Sequence, residues 1–538
     1  MKVEQITIEE YRSIQDVTLN MPKNAPLILF GPNNAGKSNI LSAIDRLLGE
    51  HWPVTLEMQD SDYFMRDSGK HPRASIAATF DDEIYKSKYG SSNTIGIEYW
   101  TPGFPGEETH LFQGKGDKAY GFGQAQRAQC QSYLIKANRN IDTALSYSSR
   151  YSLLSKFTHS LHTALTTEKK DELNTAFQSI KKTFETLPQY KVFEETVRGI
   201  IRASVKGFTH SLEVDLSAYD PNNYANALRI VAAEDGETRS FEEFGTGEQQ
   251  VLLMAFAQAY LQVFGQGQGL VLIIEEPEAH LHPLAQRWLK KYIYDVCKSG
   301  VQVIVSTHSA DFLDPRNLEG LVRVYKEDGI TKVKQVDTND LVKFCVETGV
   351  PDNKISPATV SSFYASKVHP WQLRGMFAER VLLVEGRTEA IALPVYFEKA
   401  GYHLAAEGVD IVDCGAKESI PLFWRLYEAF GYSCYCLFDA DGNQASYDKH
   451  FKGIFGDVSI DANRDSFVCT KHFSYFGGNW EKYFESAVEE YRAIKQELCQ
   501  DMLIETSSKQ ALAYAYAISA TTMPDFIEAL IDSIKKSN

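Results

Sequence analysis

Short apolar runs that end in glycine or in acidic residues recur along the chain and predict buried parallel strands of an α/β protein. Three of them occupy residues 26–30, 270–274 and 380–384. The first is followed by a helix with one apolar stripe, because its apolar residues recur at spacings of three and four. Open α/β sheets bind ligands at the carboxyl ends of their strands, so the residues after these runs are candidate functional residues.

The composition is typical of a soluble globular protein. The chain is long enough for two or three domains. The chain has 538 residues, of which 43% are hydrophobic and 23% charged. No segment approaches the ~20 apolar residues that a membrane span requires, so we expect no membrane partner. The first residues, MKVEQITIEEYRSI, lack the apolar run after a basic stretch that a signal peptide needs.

Cysteine usage and net charge indicate the cellular compartment and limit the kinds of partner that the protein can bind. The eight cysteines are scattered without a C-x-x-C pair, which predicts reduced thiols in a cytoplasmic protein and no zinc site. The net charge of −16 argues against a protein coated by nucleic acid, since phosphate binding requires lysine and arginine. It leaves room for a local basic groove.

The strongest motif is GPNNAGKS at residues 31–38, a phosphate-binding loop between a strand and a helix. The backbone N–H groups of such a loop and the positive end of the helix cradle phosphates. Lys37 is expected to reach the β and γ phosphates, and Ser38 to ligate Mg²⁺. The predicted nucleotide-binding residues of the loop are Gly31, Asn33, Asn34, Gly36, Lys37 and Ser38.

Three later segments supply further candidate ATP-site residues. Glu275 ends a buried strand and fits a Mg²⁺ partner, and Glu276 fits a base that polarises the attacking water. Gly245 and Gly247 precede an apolar helix, which makes another anion-binding helix start. His308 follows the apolar run VQVIVST, where an imidazole could contact a γ phosphate.

The order of these motifs resembles an ABC-type ATPase head, of the subset shared by SMC and Rad50-like proteins and the overcoming-lysogenisation-defect (OLD) family. The resemblance assigns Glu275 as the Walker B acid, Glu276 as the catalytic glutamate and His308 as the switch histidine. The signature reads FGTGE in place of LSGG, so ATP binding is implied more firmly than fast hydrolysis. In such heads the signature of one subunit covers the nucleotide of another, which implies a homodimer or homotetramer.

The interval between the loop and the signature is longer than a minimal head needs. Residues 140–206 read as a compact helical insertion, which we expect to dimerise, because the apolar spacing is mixed and no long heptad pattern occurs. From residue 136 to 206 there are 12 Lys and Arg against 7 Asp and Glu. This surplus of five indicates either a nucleic-acid face or an ordinary solvated helical surface.

A second set of acids has no phosphate loop. Glu385 follows the run RVLLV, Glu389 lies one helical turn later, and Asp439 and Asp441 end the run YSCYCLF. A further strand at 409–412 lies between them in sequence. Because like charges at neighbouring strand ends repel, we expect the four carboxylates to share divalent cations, for which Mg²⁺ has the preferred oxygen chemistry.

The pattern E-G-x-T-E followed by D-x-D resembles a Toprim domain, a Rossmann-like α/β fold, over residues 378–538. OLD nucleases place an ABC head before a Toprim domain in one chain, and that is the order found here. The resemblance implies two-metal hydrolysis of DNA with Mg²⁺, or alternatively Mn²⁺. It assigns Glu481 and Glu485 to a second metal site and Lys509 to charge neutralisation at the scissile phosphate.

The predicted architecture is an ATPase domain at 1–345, a linker at 346–377 and a Toprim nuclease domain at 378–538. The leading hypothesis is an ATP-regulated DNA endonuclease of the OLD type. The resemblance implies an anti-phage effector acting alone or with a helicase-like or retron partner. The alternative is a nucleotide-switched protein that binds DNA or a partner and has a non-cleaving Toprim domain. Whether ATP activates or inhibits cutting stays open.

Overall fold

The computed structural model describes most of the chain outside one long interval. The described ranges are 1–49, 51–87, 90–114, 121–136, 163–186, 231–234, 237–240, 269–279, 281–461, 465–488, 490–501 and 508–537, with single positions between them. The helical insertion predicted at 140–206 lies largely outside these ranges, apart from one helix at Thr167–Glu185. Gly245 and Gly247 also lie outside the described residues.

The strands fall into two principal sheets and two hairpins. In chain order they are β1 (Val3–Tyr11), β2 (Ile14–Asn20), β3 (Leu27–Phe30), β4 (Arg73–Phe80), β5 (Tyr85–Ser87), β6 (Gly90–Ser92), β7 (Thr94–Trp100), β8 (His110–Gln113), β9 (Cys130–Ile135), β10 (Val231–Glu234), β11 (Glu237–Ser240), β12 (Gly269–Glu275), β13 (Gln302–Thr307), β14 (Leu321–Glu327), β15 (Ile330–Gln335), β16 (Arg380–Val384), β17 (Val409–Asp413), β18 (Ser433–Asp439), β19 (Phe467–Cys469) and β20 (Phe473–Phe476).

The helices alternate with these strands through both halves of the chain. They are α1 (Lys37–Leu48), α2 (Gln124–Arg127), α3 (Thr167–Glu185), α4 (Pro283–Lys298), α5 (Thr338–Glu347), α6 (Pro357–Lys367), α7 (Arg387–Lys399), α8 (Ile420–Ala429), α9 (Gln444–His450), α10 (Lys452–Phe455), α11 (Trp480–Ala487), α12 (Tyr491–Asp501), α13 (Lys509–Ser519) and α14 (Phe526–Lys536). Across the described residues, no helix is long and apolar enough to cross a membrane.

The larger sheet brings the nucleotide motifs to one edge. In the described part of the chain it has eleven strands in the order β8-β7-β4-β1-β2-β15-β14-β3-β13-β12-β9. Its strands β14, β3, β13, β12 and β9 are mutually parallel. Phe30 pairs with Thr307 and Glu275 with Ser306, so the three motif-bearing strands end side by side.

The smaller sheet has the strand order β17-β16-β18-β20-β19 and brings the second set of acids to one edge. Its first four strands are parallel, and β19 runs antiparallel to β20. Val384 pairs with Leu437, which sets Glu385 beside the last residues of β18. The predicted fold class, an ATPase head followed by a Toprim-type α/β domain, is confirmed.

The central strands are apolar on both faces because each face packs against a different core. Along β3, Ile28 and Phe30 enter one apolar cluster, whereas Leu27 and Leu29 enter the cluster under α1. Strand β16 alternates in the same way between that first cluster and a third one under α7 and α14. The first cluster therefore contacts both sheets and joins the two halves through one continuous core.

The segment predicted as a linker, 346–377, contributes to this shared core. It forms helix α6 and a 3-10 helix at Pro370–Phe377. Val360 and Tyr364 of the former and Leu373 and Met376 of the latter are buried in the cluster. The domain limits given above stay predictions, since the two sheets share their packing here.

We predict that Arg425→Met destabilises the junction of the two halves. The Arg425 guanidinium is buried on α8 and donates to the hydroxyl and the carbonyl of Thr348, with 2.7 Å for the hydroxyl. Leaving these acceptors without a donor should cost about 2 kcal/mol and lower the melting temperature. Arg287→Met is the control, because its pair with Asp311 is exposed and worth at most about 1 kcal/mol. Equal melting temperatures for the two variants would contradict this role.

Candidate functional site: a nucleotide loop and a carboxylate cluster

The loop before α1 has a backbone that only glycine adopts at two positions. Gly31 has φ 143° and Gly36 has φ 111°. A Cβ at Gly31 would overlap the carbonyl of Val324, and one at Gly36 would overlap the side chain of Thr331. The loop is therefore packed closely against β14 and β15, and at both positions its backbone requires glycine.

Lys37 and Ser38 contact the groups expected of a nucleotide site. Lys37 Nζ donates to the carbonyls of Gly31 and Pro32, at 2.9 Å each. Burial lowers the pKa of Lys37 to about 8, against the opposing effect of Glu276 and Glu278. Ser38 Oγ donates to Glu275 Oε1 at 2.5 Å, which places the predicted Mg²⁺ hydroxyl and the predicted Walker B acid together.

Glu276 and His308 lie next to each other near the phosphate loop. Their side chains approach to 3.7 Å, and burial together with nearby Lys37 lowers the pKa of His308. Glu278, which the sequence reasoning missed, accepts a hydrogen bond from the His308 backbone N–H at 2.6 Å. Burial raises the pKa of Glu278. The third acid of the run EEPE was the signal that could have revealed it.

A cleft of about 410 Å³ adjoins the loop at Asn34. It is lined on its other sides by Arg12, Arg66 and Lys326, and this volume falls within the range of ligand pockets. Arg12, Asn34 and Arg66 all have φ between 54° and 61°, so strained backbone concentrates here. Sequence reasoning missed these basic residues because they come from three separate segments.

Glu385 and Asp439 are adjacent, as expected from their positions at neighbouring strand ends. The Asp439 backbone N–H donates to Glu385 Oε2 at 3.1 Å. Asp439 Oδ1 in turn accepts from the backbone N–H of Trp480 at the start of α11, also at 3.1 Å. Strand β18 thus holds its terminal carboxylate between β16 and the helix that carries Glu481.

The remaining acids surround this pair. Glu389 is 6% exposed and accepts from the Gly386 backbone N–H at 3.1 Å, which caps α7. Asp441 pairs with Lys417 at 2.6 Å, and Glu481 pairs with Lys509 at 3.0 Å.

Two residues depart from the predicted grouping. Glu485 pairs with Lys495 of α12 at 3.0 Å, and its assignment to a second metal site stays a prediction. Lys417 was missed, although it lies just after the glycine turn that follows β17.

Burial and mutual repulsion raise the proton affinity of the cluster. Burial, and then the nearby Glu385 and Glu481, raise the pKa of Glu389 to about 7. Burial and then Glu389 and Glu385 raise the pKa of Asp439 well above its ordinary value. Burial also raises the pKa of Glu385, against the opposing charge of Lys417. The cluster therefore has an excess of buried negative charge that a cation would relieve.

The donor chemistry fits a divalent cation, although the carboxylates are turned to other partners. Within the described residues, no group of three or more His, Cys, Asp or Glu side chains is already arranged to hold a metal ion. Backbone N–H groups hold Glu385, Glu389 and Asp439, and lysines hold Asp441 and Glu481. Oxygen-only ligand sets of this kind suit Mg²⁺ or Mn²⁺ once the side chains turn toward a shared ion.

Fold and site together define a P-loop ATPase domain joined to a Toprim-type acidic domain. The family described as AAA ATPase domain matches residues 1–120 and 116–313, more than half of the chain, and the chain belongs to it. The family described as overcoming lysogenization defect protein-like, TOPRIM domain, matches residues 376–441. The resemblance found from the motifs is thereby confirmed.

Curated relatives carry nuclease names. An OLD nuclease of Thermus scotoductus is 26% identical over 458 residues, which cover 82% of this chain and 82% of that protein. The Old nuclease of Escherichia phage P2 is 27% identical over 225 residues, 40% of this chain and 36% of that protein. Endonuclease GajA of Bacillus cereus is 21% identical over 420 residues, 73% of this chain and 67% of that protein. Among solved structures, an SMC head bound to a winged-helix domain of ScpA has a TM-score of 0.41 at 17% identity, over 64% of this chain and 100% of that chain.

We predict that Glu389→Gln makes the metal-free protein more stable at alkaline pH. A carboxyl whose pKa is higher in the folded than in the unfolded state loses stabilisation as pH rises from about 4.5 to about 7. Glutamine keeps the hydrogen bond from Gly386 and removes this loss, so the gain should reach roughly 2–3 kcal/mol at pH 8 and fall below about 1 kcal/mol at pH 5.

Thermal unfolding in a chelator at both pH values measures this gain. The exposed Glu398 of the same helix provides the control substitution Glu398→Gln. A melting temperature of Glu389→Gln that follows the parent protein at both pH values would show that Glu389 carries no excess charge.

Proposed function

We propose that this protein is an ATP-binding, metal-dependent DNA endonuclease of the OLD type, with ATP regulating cleavage by the Toprim domain. The observation that carries the proposal is the cluster of partly buried carboxylates at the ends of β16 and β18. The nuclease names of the relatives support the same function, since one of them is aligned over most of both chains.

The acids share one part in the proposed reaction and Lys509 has another. Glu385, Glu389, Asp439 and Asp441 would hold divalent cations, which activate a water and neutralise the leaving oxygen when bound. Lys509 is partly exposed beside Glu481 and can approach a DNA phosphate. Hydrolysis forms a bond from the water oxygen to phosphorus, breaks the bond to the 3′ oxygen and leaves that oxygen with a proton.

We predict that Glu385→Gln and Asp439→Asn each reduce Mg²⁺- or Mn²⁺-dependent plasmid cleavage by about 100-fold or more. Both substitutions remove a charge and keep the side-chain shape, so ATP binding should be unchanged. Lys37→Ala should instead weaken ATP binding, because it removes the lysine of the phosphate loop. Glu398→Gln is the matched control. Cleavage that persists in both acid variants would refute the site. A parent protein that binds ATP and DNA without cutting would favour the nucleotide-switched binding protein instead.

The ATP part of the proposal has a physical route through the shared core. Phe30, the last residue before the phosphate loop, packs against Phe377 and Phe430 with ring centroids 6.1 and 5.8 Å apart. Its strand neighbour Arg323 donates to the carbonyls of Phe430, at 3.2 Å, and Gly431. The Arg323 guanidinium also lies 3.6 Å from the ring centroid of Tyr432.

These contacts end at the start of β18, whose far end carries Asp439. A shift of the phosphate loop on nucleotide binding would move Phe30 and, through a close-packed core, the strand that positions the acid. The route is compatible with either sign of the coupling, activation or inhibition.

We predict that Arg323→Met moves the ratio of cleavage rates with and without ATP toward one. Arg425→Met is the matched control, since it also removes a buried arginine between the two halves but contacts neither Phe30 nor β14. It should lose stability and keep the parent ratio. An unchanged ratio in Arg323→Met, with ATP binding intact, would exclude this route.

The assembly and biological role follow from the family resemblance. We propose a homodimer or homotetramer that acts as an anti-phage effector, alone or with a helicase-like or retron partner. A mass measurement of the assembly checks the first point. Phage plaque counts in cells expressing the parent protein or Glu385→Gln check the second, and equal counts would contradict it.

A further inference from the structure

Lys417 is a buried lysine among the acids of the carboxylate cluster. It lies in a single 3-10 turn, Lys417–Ser419, after the end of β17. Its side chain is 9% exposed, in contrast to 62% for Lys509. The Lys417 ammonium is therefore largely enclosed, and its partners are groups of the protein itself.

The Lys417 ammonium bridges two points of the D-A-D turn. It donates to the Asp439 carbonyl at 2.9 Å and to Asp441 Oδ2 at 2.6 Å. One contact fixes the backbone of the first aspartate and the other fixes the side chain of the second. Only one carboxylate oxygen of Asp441 is used by this bond.

The turn needs such a restraint because its backbone is strained. Asp441 has φ 54°, a conformation that costs on the order of 1 kcal/mol or more outside glycine. The backbone N–H groups of Asp441 and Gly442 donate to Gly478 and Gly477, at 2.8 Å each. These bonds hold the peptide but leave the direction of the Asp441 carboxylate to Lys417.

We propose that Lys417 is a positioning residue that holds Asp441 in place for a divalent cation bound by the cluster. This inference rests on the proposed function, because it assumes that the cluster binds metal. It adds that the turn after β17 supplies the ammonium group that orients one of the predicted metal ligands. Without it, Asp441 would turn away from Glu385 and Asp439, since all three carry like charge.

The test is Mn²⁺ binding to the full chain by calorimetry without nucleotide, in parallel with the Mn²⁺ dependence of plasmid cleavage. Binding that Asp439→Asn removes is assigned to the cluster. For Lys417→Met we expect about 10-fold weaker Mn²⁺ binding. We also expect the half-maximal Mn²⁺ concentration for cleavage to rise similarly, with most of the limiting rate restored at saturation.

Lys399→Met is the matched control in the same domain. The Lys399 ammonium also donates to two carbonyls, those of Ile518 and Ala520 at 2.8 and 2.9 Å, but it has no carboxylate partner among the residues that the structure describes. This variant should keep the parent Mn²⁺ affinity. If Lys417→Met does not fold, Lys417→Gln provides a shorter neutral donor, and its affinity should also fall below that of the parent protein.

Three results would overturn the inference. Parent-like Mn²⁺ affinity in a folded Lys417 variant would make the residue purely structural. Tighter binding would make its ammonium a competitor of the metal. Absence of cluster binding in the parent protein would overturn the proposed function itself and is distinguishable from the other two, because it needs no variant.

Discussion

Mutual repulsion among buried carboxylates is the constraint on which the C-terminal half depends. Glu385 and Asp439 are fixed at the ends of two paired parallel strands, so neither can move apart without breaking the sheet. Glu389 is added by the helix that follows β16 and is itself buried, and desolvation raises the pKa values of both Glu389 and Asp439. A sheet that holds acids in this way needs protons or cations nearby to relieve their repulsion. The lysines at Asp441 and Glu481 meet part of that need and leave the rest to a bound ion.

The two sites are linked because the two sheets share a core. In ordinary two-domain chains the interface is polar and permits relative motion. Here Phe30, from the base of the phosphate loop, packs directly on Phe430, which lies shortly before the start of β18. Helix α6 and the 3-10 helix after it contribute buried side chains to the same cluster, so the connecting segment is part of the shared hydrophobic core. A close-packed interior transmits displacement, which gives nucleotide state a physical means of reaching Asp439.

The features that depend on strand periodicity and on local motifs could be predicted from the sequence. Parallel strands buried on both faces read as apolar runs, and the acids that follow them meet at one edge, which is why the sequence alone could pair Glu385 with Asp439. The roles of Lys417 and Arg323 could not be predicted, because each contacts a segment distant in sequence. A single basic residue after a turn or in a strand belongs to no pattern that reveals its partner. Glu485 shows the opposite limit, since helical spacing puts it near Glu481 yet Lys495 determines its contact.

Both sites place an acid in left-handed backbone just beyond the end of a strand. Successive residues of a strand point to opposite faces, so Glu275 and Glu276 would point apart if β12 continued in extended form. Glu276, with φ 46°, follows the strand-end Glu275, and Asp441, with φ 54°, follows the strand-end Asp439 by two residues. In each case the left-handed residue ends the extended backbone, and a backbone hydrogen bond to a neighbouring segment secures it, from the Glu276 N–H to Ser306 and from the Asp441 N–H to Gly478. Such backbone costs free energy and persists only where surrounding structure fixes it. Its occurrence at the second acid of both pairs indicates that the position of the carboxylate, and not the stability of the turn, determines the local conformation.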